Sequence, residues 1–111
     1  YRVCTATSKS ERFARAALER AGLLEHIDFL GAASNDGVRA TKVDVIRYVL
    51  DQAAPKRPLM IGDRLHDFEG AKEFGIPSVA MTWGYGAAEE WDLADYVARD
   101  AAELERIIRE F

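Results

Sequence analysis

Residues 59–86 decide the fold: Leu59-Met60-Ile61-Gly62-Asp63-Arg64-Leu65-His66-Asp67-Phe68-Glu69-Gly70-Ala71-Lys72-Glu73-Phe74-Gly75-Ile76-Pro77-Ser78-Val79-Ala80-Met81-Thr82-Trp83-Gly84-Tyr85-Gly86. Leu59 to Ile61 is a short apolar strand that breaks at Gly62. Two aspartates, Asp63 and Asp67, follow it four residues apart, where a strand hands over to a helix. Acidic side chains at the carboxyl end of a parallel strand stand where open α/β sheets bind ligands. A carboxylate pair there can take a hard cation through oxygen. The same spacing is common on solvated helix faces, and Asp67 has a second reading as the cap of a helix beginning near Phe68.

Downstream of the aspartates the pattern predicts a helix from about Phe68 to Phe74, closed by Gly75. A strand over Ser78–Met81 follows Pro77, and a loop over Thr82–Gly86 carries Trp83 and Tyr85. Those two rings read primarily as core packing and secondarily as walls of a site. A short helix near Ala87–Trp91, a last strand at Tyr96-Val97 and a terminal helix over Ala101–Phe111 complete this half.

Upstream, Tyr1–Thr7 reads as a strand, and Ser8-Lys9-Ser10-Glu11 carries a Ser-x-x-Glu capping box that opens a helix. Phe13, Ala16, Ala17, Leu18 and Ala21 recur at helical spacing as its core face, and Gly22 ends it. A strand is expected over Phe29–Ala33 and a turn at Asn35-Asp36-Gly37. The next helix runs from Lys42 to Ala53, capped by Thr41, with Val45, Ile46, Val49 and Leu50 inward. Strands alternating with helices predict a Rossmann-like α/β fold, a parallel sheet with helices on both faces.

A chain of 111 residues suits one domain, and 49% apolar with 31% charged residues suits a folded one. A net charge of −4 argues against a nucleic-acid-binding surface. No apolar run approaches the roughly 20 residues that cross a membrane. Cys4 is the single cysteine, so no internal disulfide forms, and a reducing, cytoplasmic setting is expected. Its apolar neighbours make Cys4 a packing residue rather than a nucleophile.

Three polar groups map to the strand ends that share one edge of such a sheet. Thr7 and Ser8 close the first strand, Lys42 begins the second helix, and Asp63 and Asp67 follow the third strand. Each suits phosphate chemistry. A hydroxyl and N–H groups at a helix start can hold phosphate oxygens. A lysine supplies a compact positive charge, and two carboxylates place a metal. Singly, each has an ordinary reading: a β-branched strand position, a cap, a solvated lysine.

In this order and spacing the residues resemble a haloacid-dehalogenase-superfamily phosphatase of the phosphoglycolate phosphatase and 5′-nucleotidase-like group. The resemblance rests on Val3-Cys4-Thr5-Ala6-Thr7-Ser8-Lys9, Thr41-Lys42-Val43-Asp44-Val45-Ile46 and Gly62-Asp63-Arg64-Leu65-His66-Asp67. Glu69-Gly70-Ala71-Lys72, Gly75-Ile76-Pro77-Ser78-Val79 and Trp83-Gly84-Tyr85-Gly86 extend it over nearly the whole chain. It implies that Thr7, helped by the Ser8 backbone, binds the transferring phosphoryl group of a small phosphorylated substrate, and that Lys42 steadies it. It implies that Asp63 ligates Mg²⁺ and that Asp67 ligates it directly or holds its waters. Lys42 and Asp63 would be this chain's catalytic residues. His66 reads as a helix-start or surface residue, with contact to substrate as the alternative.

One departure matters more than any match. The family's first motif, an apolar strand followed by Asp-x-Asp that supplies the nucleophile and the general acid/base, does not occur in these 111 residues. The substrate-selecting cap that normally follows that motif is absent too. With a chain that opens on Tyr1 inside a strand, the expectation is the C-terminal core portion of a longer hydrolase, one that folds well only with the segment carrying the central first strand. The alternatives are a phosphosugar mutase of the same superfamily and a non-catalytic phosphate-binding scaffold. Substrate identity and oligomeric state are not written in these residues.

Overall fold

Strands and helices alternate along the whole chain in a computed structural model that describes all residues from Tyr1 to Phe111. They form two compact units, Tyr1–Lys56 and Arg57–Phe111, each built on its own parallel sheet. The α/β class read from the sequence is therefore the observed one. No helix is long and apolar enough to cross a membrane.

The first unit holds strand β1 (Thr7–Ser10), helix α1 (Glu11–Arg20), a 3₁₀ turn (Leu24–His26), strand β2 (Ala32–Ala33) and helix α2 (Lys42–Ala53). The predicted strand over Tyr1–Thr7 is corrected. Pairing begins as a single bridge between Cys4 and Phe29, with Thr5 N–H donating to the Phe29 carbonyl at 3.1 Å and Thr7 N–H to the Gly31 carbonyl at 3.2 Å. The regular strand starts only at Thr7 and runs into α1. Tyr1 and Val3 lie exposed, so the apolar opening residues are not a core strand. Thr7 stands opposite Ala32 and Ser10 opposite Ala33, which leaves Ser8 and Lys9 in a bulge.

That bulge also explains why the Ser8–Glu11 capping box does not form. Ser8 is drawn into the strand irregularity, and α1 starts at Glu11 behind Ser10, whose side chain makes no capping bond. The Arg12 N–H is satisfied instead by Asn35 Oδ1 at 3.1 Å. The buried stripe of α1 is narrower than predicted. Ala14 is buried and Leu18 half-buried, while Phe13, Ala16, Ala17 and Ala21 are exposed. A helix lying on a two-stranded sheet buries only the residues one turn apart that face it. Gly22 does end α1, and the Leu23 N–H returns to the Leu18 carbonyl at 2.9 Å.

Helix α2 begins and ends where the sequence places it. Thr41 Oγ1 accepts from Asp44 N–H at 3.1 Å and Asp44 Oδ2 accepts from Thr41 N–H at 3.4 Å, a reciprocal capping box. Hydrogen bonds to the carboxylate, from the Thr41 side chain first and then from the Thr41 and Ala40 N–H groups, hold the Asp44 carboxyl below its usual range. Val45 and Ile46 are fully inward. Burial pushes the Cys4 thiol above its ordinary value, consistent with a packing role.

The second unit holds strand β3 (Met60–Gly62), helix α3 (Leu65–Glu73), strand β4 (Ser78–Met81), a 3₁₀ segment (Ala88–Leu93), strand β5 (Tyr96–Ala98) and helix α4 (Ala101–Glu110). The three strands lie in the order β3-β4-β5, all parallel, with Ile61 opposite Val79 and Ala80 opposite Val97. Phe68, Ala71, Ile76, Val79, Ala80 and Ala98 form the core. Phe68 is completely buried, which stabilises such a side chain by about 1.5–3 kcal/mol. Helix α3 starts at Leu65, three residues before the predicted Phe68, so Asp67 lies inside its first turn rather than ahead of it.

Candidate functional site

In the first unit, the bulge puts Thr7 at the end of the Thr5–Thr7 ladder with Ser8 exposed beyond it. Thr7 Oγ1 accepts from Lys9 N–H at 3.1 Å, and its own hydroxyl proton can be donated outward. Lys42 is the first residue of α2 and half-buried. Its Nζ donates to the Ala6 carbonyl at 2.6 Å. A residue 36 positions away is thus carried to the backbone beside Thr7. A hydroxyl, exposed backbone and an ammonium in one place can hold a phosphate oxyanion.

Arg39 sets the approach to α2. Its Nε donates to the Ala32 carbonyl at 2.8 Å, its Nη2 to Glu11 Oε1 at 2.7 Å, and its guanidinium lies 3.6 Å from the Tyr48 ring centroid. The segment feeding Lys42 is therefore tied to β2, α1 and α2 together. The sequence reading missed Arg39, because nothing in its local pattern sets it apart from a solvated arginine.

In the second unit, Asp63 follows the carboxyl end of β3, and its Oδ2 accepts from Tyr85 N–H at 2.8 Å. The main chain of the Thr82–Gly86 loop comes so close that a Cβ at Gly84 would overlap the Asp63 side chain and one at Gly86 would overlap the Asp63 carbonyl oxygen. Trp83 and Tyr85 are 50% and 92% exposed, which corrects the expectation that they pack in the core. The loop presses its backbone on Asp63, and this geometry leaves the two rings outside. Asp67 Oδ2 accepts from Asp63 N–H at 3.2 Å and Arg64 N–H at 3.3 Å, so this carboxylate closes the turn from within the helix. His66 is exposed, with Nδ1 3.6 Å from Glu69 Oε1, as expected of a surface residue.

Glu90 is the residue sequence reasoning overlooked here. Its Oε2 accepts from Ala87 N–H at 2.9 Å. Its Oε1 accepts from Leu65 N–H at 2.9 Å and Arg64 Nε at 3.1 Å. Those bonds, the Ala87 one first, hold the Glu90 carboxyl down to about 2. A depressed carboxyl stabilises the fold fully above its ordinary 4.5 and loses that contribution as pH falls through about 2, so Glu90 stays ionised at neutral pH.

No cluster of three or more His, Cys, Asp or Glu side chains that could hold a metal occurs in the structure. Asp63 and Asp67 are a pair of carboxylates on one turn. That donor set fits a hard cation that keeps waters and takes further oxygens from a bound phosphate, and it does not fit a closed four-ligand site. A cavity of about 230 Å³ lined by Lys72, Pro77, Ser78 and Asp95 lies at the amino-terminal end of β4, the far end of the strands from Asp63. Gly86→Ala is expected to force the loop off Asp63 and to destabilise by about 1–3 kcal/mol, read as a lower urea midpoint.

The model of the HAD-hydrolase-like family matches residues 9–104. Tyrosine-protein kinase PtkA of Mycobacterium tuberculosis is 44% identical over 90 residues, covering 79% of this chain and 31% of that protein. A 5′-nucleotidase of Pseudomonas aeruginosa is 36% identical over 87 residues, covering 77% of this chain and 39% of that protein. The crystal structure of a predicted phosphatase from Clostridium acetobutylicum superposes with a TM-score of 0.93 at 36% identity, covering all of this chain and 53% of that one. The chain thus spans about half of that solved structure and less than half of the two curated relatives.

Proposed function

This chain belongs to the HAD-hydrolase-like family, and from that premise we propose that it is the phosphate- and metal-binding portion of a Mg²⁺-dependent phosphomonoesterase acting on small phosphate esters. The observation that carries the reading is the Lys42 Nζ contact on the Ala6 carbonyl, which brings an ammonium to the segment that ends in Thr7 and Ser8. Thr7 and the Ser8 backbone grip the phosphoryl oxygens, and Lys42 offsets their charge. Asp63 and Asp67 would hold Mg²⁺, which when bound would supply Lewis-acid stabilisation to a phosphoryl group. The attacking group is an aspartate carboxylate. It forms a bond to phosphorus as the ester oxygen leaves with a proton, and water then releases inorganic phosphate from the aspartyl-phosphate. These 111 residues hold no Asp-x-Asp, so on this reading the nucleophile and the general acid/base belong to a segment outside them.

The test is phosphate release from p-nitrophenyl phosphate, phosphoglycolate and nucleoside monophosphates by the complete gene product. Release in Mg²⁺ that stops in EDTA is expected. Release indifferent to EDTA refutes the metal assignment, and no release from any ester refutes the hydrolase reading. Identity to a protein named a tyrosine kinase favours a second reading, in which a tyrosyl hydroxyl rather than water accepts the phosphoryl group. Labelled phosphate appearing on tyrosine, with no free phosphate, would establish it.

A further inference from the structure

One carboxylate bridges the Asp63 turn to the loop that grips it. Glu90 Oε1 holds the Leu65 N–H, two residues after Asp63, and Glu90 Oε2 holds the Ala87 N–H, directly after Gly86. Gly86 lies against the Asp63 carbonyl, and the Tyr85 N–H holds Asp63 Oδ2. The path Asp63–Leu65, Glu90, Ala87–Tyr85 and back to the Asp63 carboxylate is a closed ring of main chain and hydrogen bonds. The Arg64 guanidinium closes over the outside of it, 3.1 Å from Glu90 Oε1. The Glu90 side chain is 20% exposed, and the Leu65 arm of the bridge is the more buried one.

We propose that Glu90 is a positioning residue for Asp63. By fixing the loop whose Tyr85 N–H binds Asp63 Oδ2, it sets the orientation in which that carboxylate would meet a cation. The inference rests on the reading of Asp63 as a metal ligand. An ordinary helix-start role would need only the Ala87 bond, which closes the first turn of the 3₁₀ segment. The second oxygen, spent on a turn 25 residues away, is what that role leaves unexplained.

The test is Mg²⁺ binding by titration calorimetry on the complete protein without substrate, beside thermal melts. Partners that orient a metal-binding carboxylate typically change affinity about 10–100-fold. Glu90→Gln, which can keep only one of the two oxygen contacts, is expected to weaken Mg²⁺ binding about 10-fold. Ala87→Pro removes the N–H that Oε2 accepts without touching Glu90, and should weaken Mg²⁺ binding in the same direction; it serves if Glu90→Gln does not fold. Wild-type Mg²⁺ affinity in both variants, with only a lower melting temperature, would overturn the inference and leave the metal site standing. Mg²⁺ binding unchanged by Asp63→Asn would overturn both.

Discussion

Asp63→Asn is expected to cut Mg²⁺-dependent phosphate release by about 100-fold or more while leaving the fold nearly as stable as wild type. The two effects separate because, on the proposed reading, the carboxylate does two jobs. As a hydrogen-bond acceptor it holds the Tyr85 N–H through Oδ2. Asparagine is the same size and keeps one oxygen for that bond, so the Thr82–Gly86 loop retains its anchor. As an anion it offers charge to a cation, and the amide removes that charge entirely. A surface or half-exposed substitution of this kind usually moves stability by no more than about 0.5 kcal/mol. Steady-state assays across a Mg²⁺ series, paired with urea melts, read both consequences. Turnover within a few-fold of wild type would sink the metal assignment. A large loss of stability would show that the charge serves the fold instead.

The parts of the fold that were legible in the sequence are those whose cause is local. Helix α2 was, because Thr41 and Asp44 close their box within four residues and Ala54 ends the helix. Strand β4 was, because Pro77 stops one element and Ser78–Met81 is a short apolar run buried among neighbours. The placement of Lys42 as the first residue of α2 and of Asp63 just past β3 was, because each stands at an element boundary. The failures share a different cause. The bulge at Ser8 and Lys9 exists only in pairing with β2, so its sequence looked like a helix cap. Asp67 resembles an N-cap residue, yet it reaches back to the Asp63 and Arg64 N–H groups from inside α3. Trp83 and Tyr85 are large rings in an apolar region, but the backbone between them is committed to Asp63. Arg39 and Glu90 bind partners 28 and 25 residues away, beyond the reach of any periodicity argument.

The other large effect is expected at Lys42, and it should differ in kind from that at Asp63. Lys42→Met keeps the length and the apolar stem and removes the ammonium. The half-buried Ala6 carbonyl then loses its donor, which costs about 0.5–1.5 kcal/mol for a typical hydrogen bond. Loss of a preorganised charge at a phosphoryl group should cost about 100–1,000-fold in kcat. The Mg²⁺ concentration for half-maximal activity should not move, since on the proposed reading Lys42 serves the phosphate and not the Asp63 turn. Lys42→Arg restores charge but not shape. A planar five-donor fork cannot stand in for a point charge held 2.6 Å from one carbonyl, so only partial recovery is expected. Inorganic phosphate should protect wild type against thermal unfolding and protect Lys42→Met less. A variant that keeps both wild-type turnover and wild-type phosphate protection would remove Lys42 from the site. It would also reduce the 2.6 Å contact to a structural tie between α2 and the backbone just before β1.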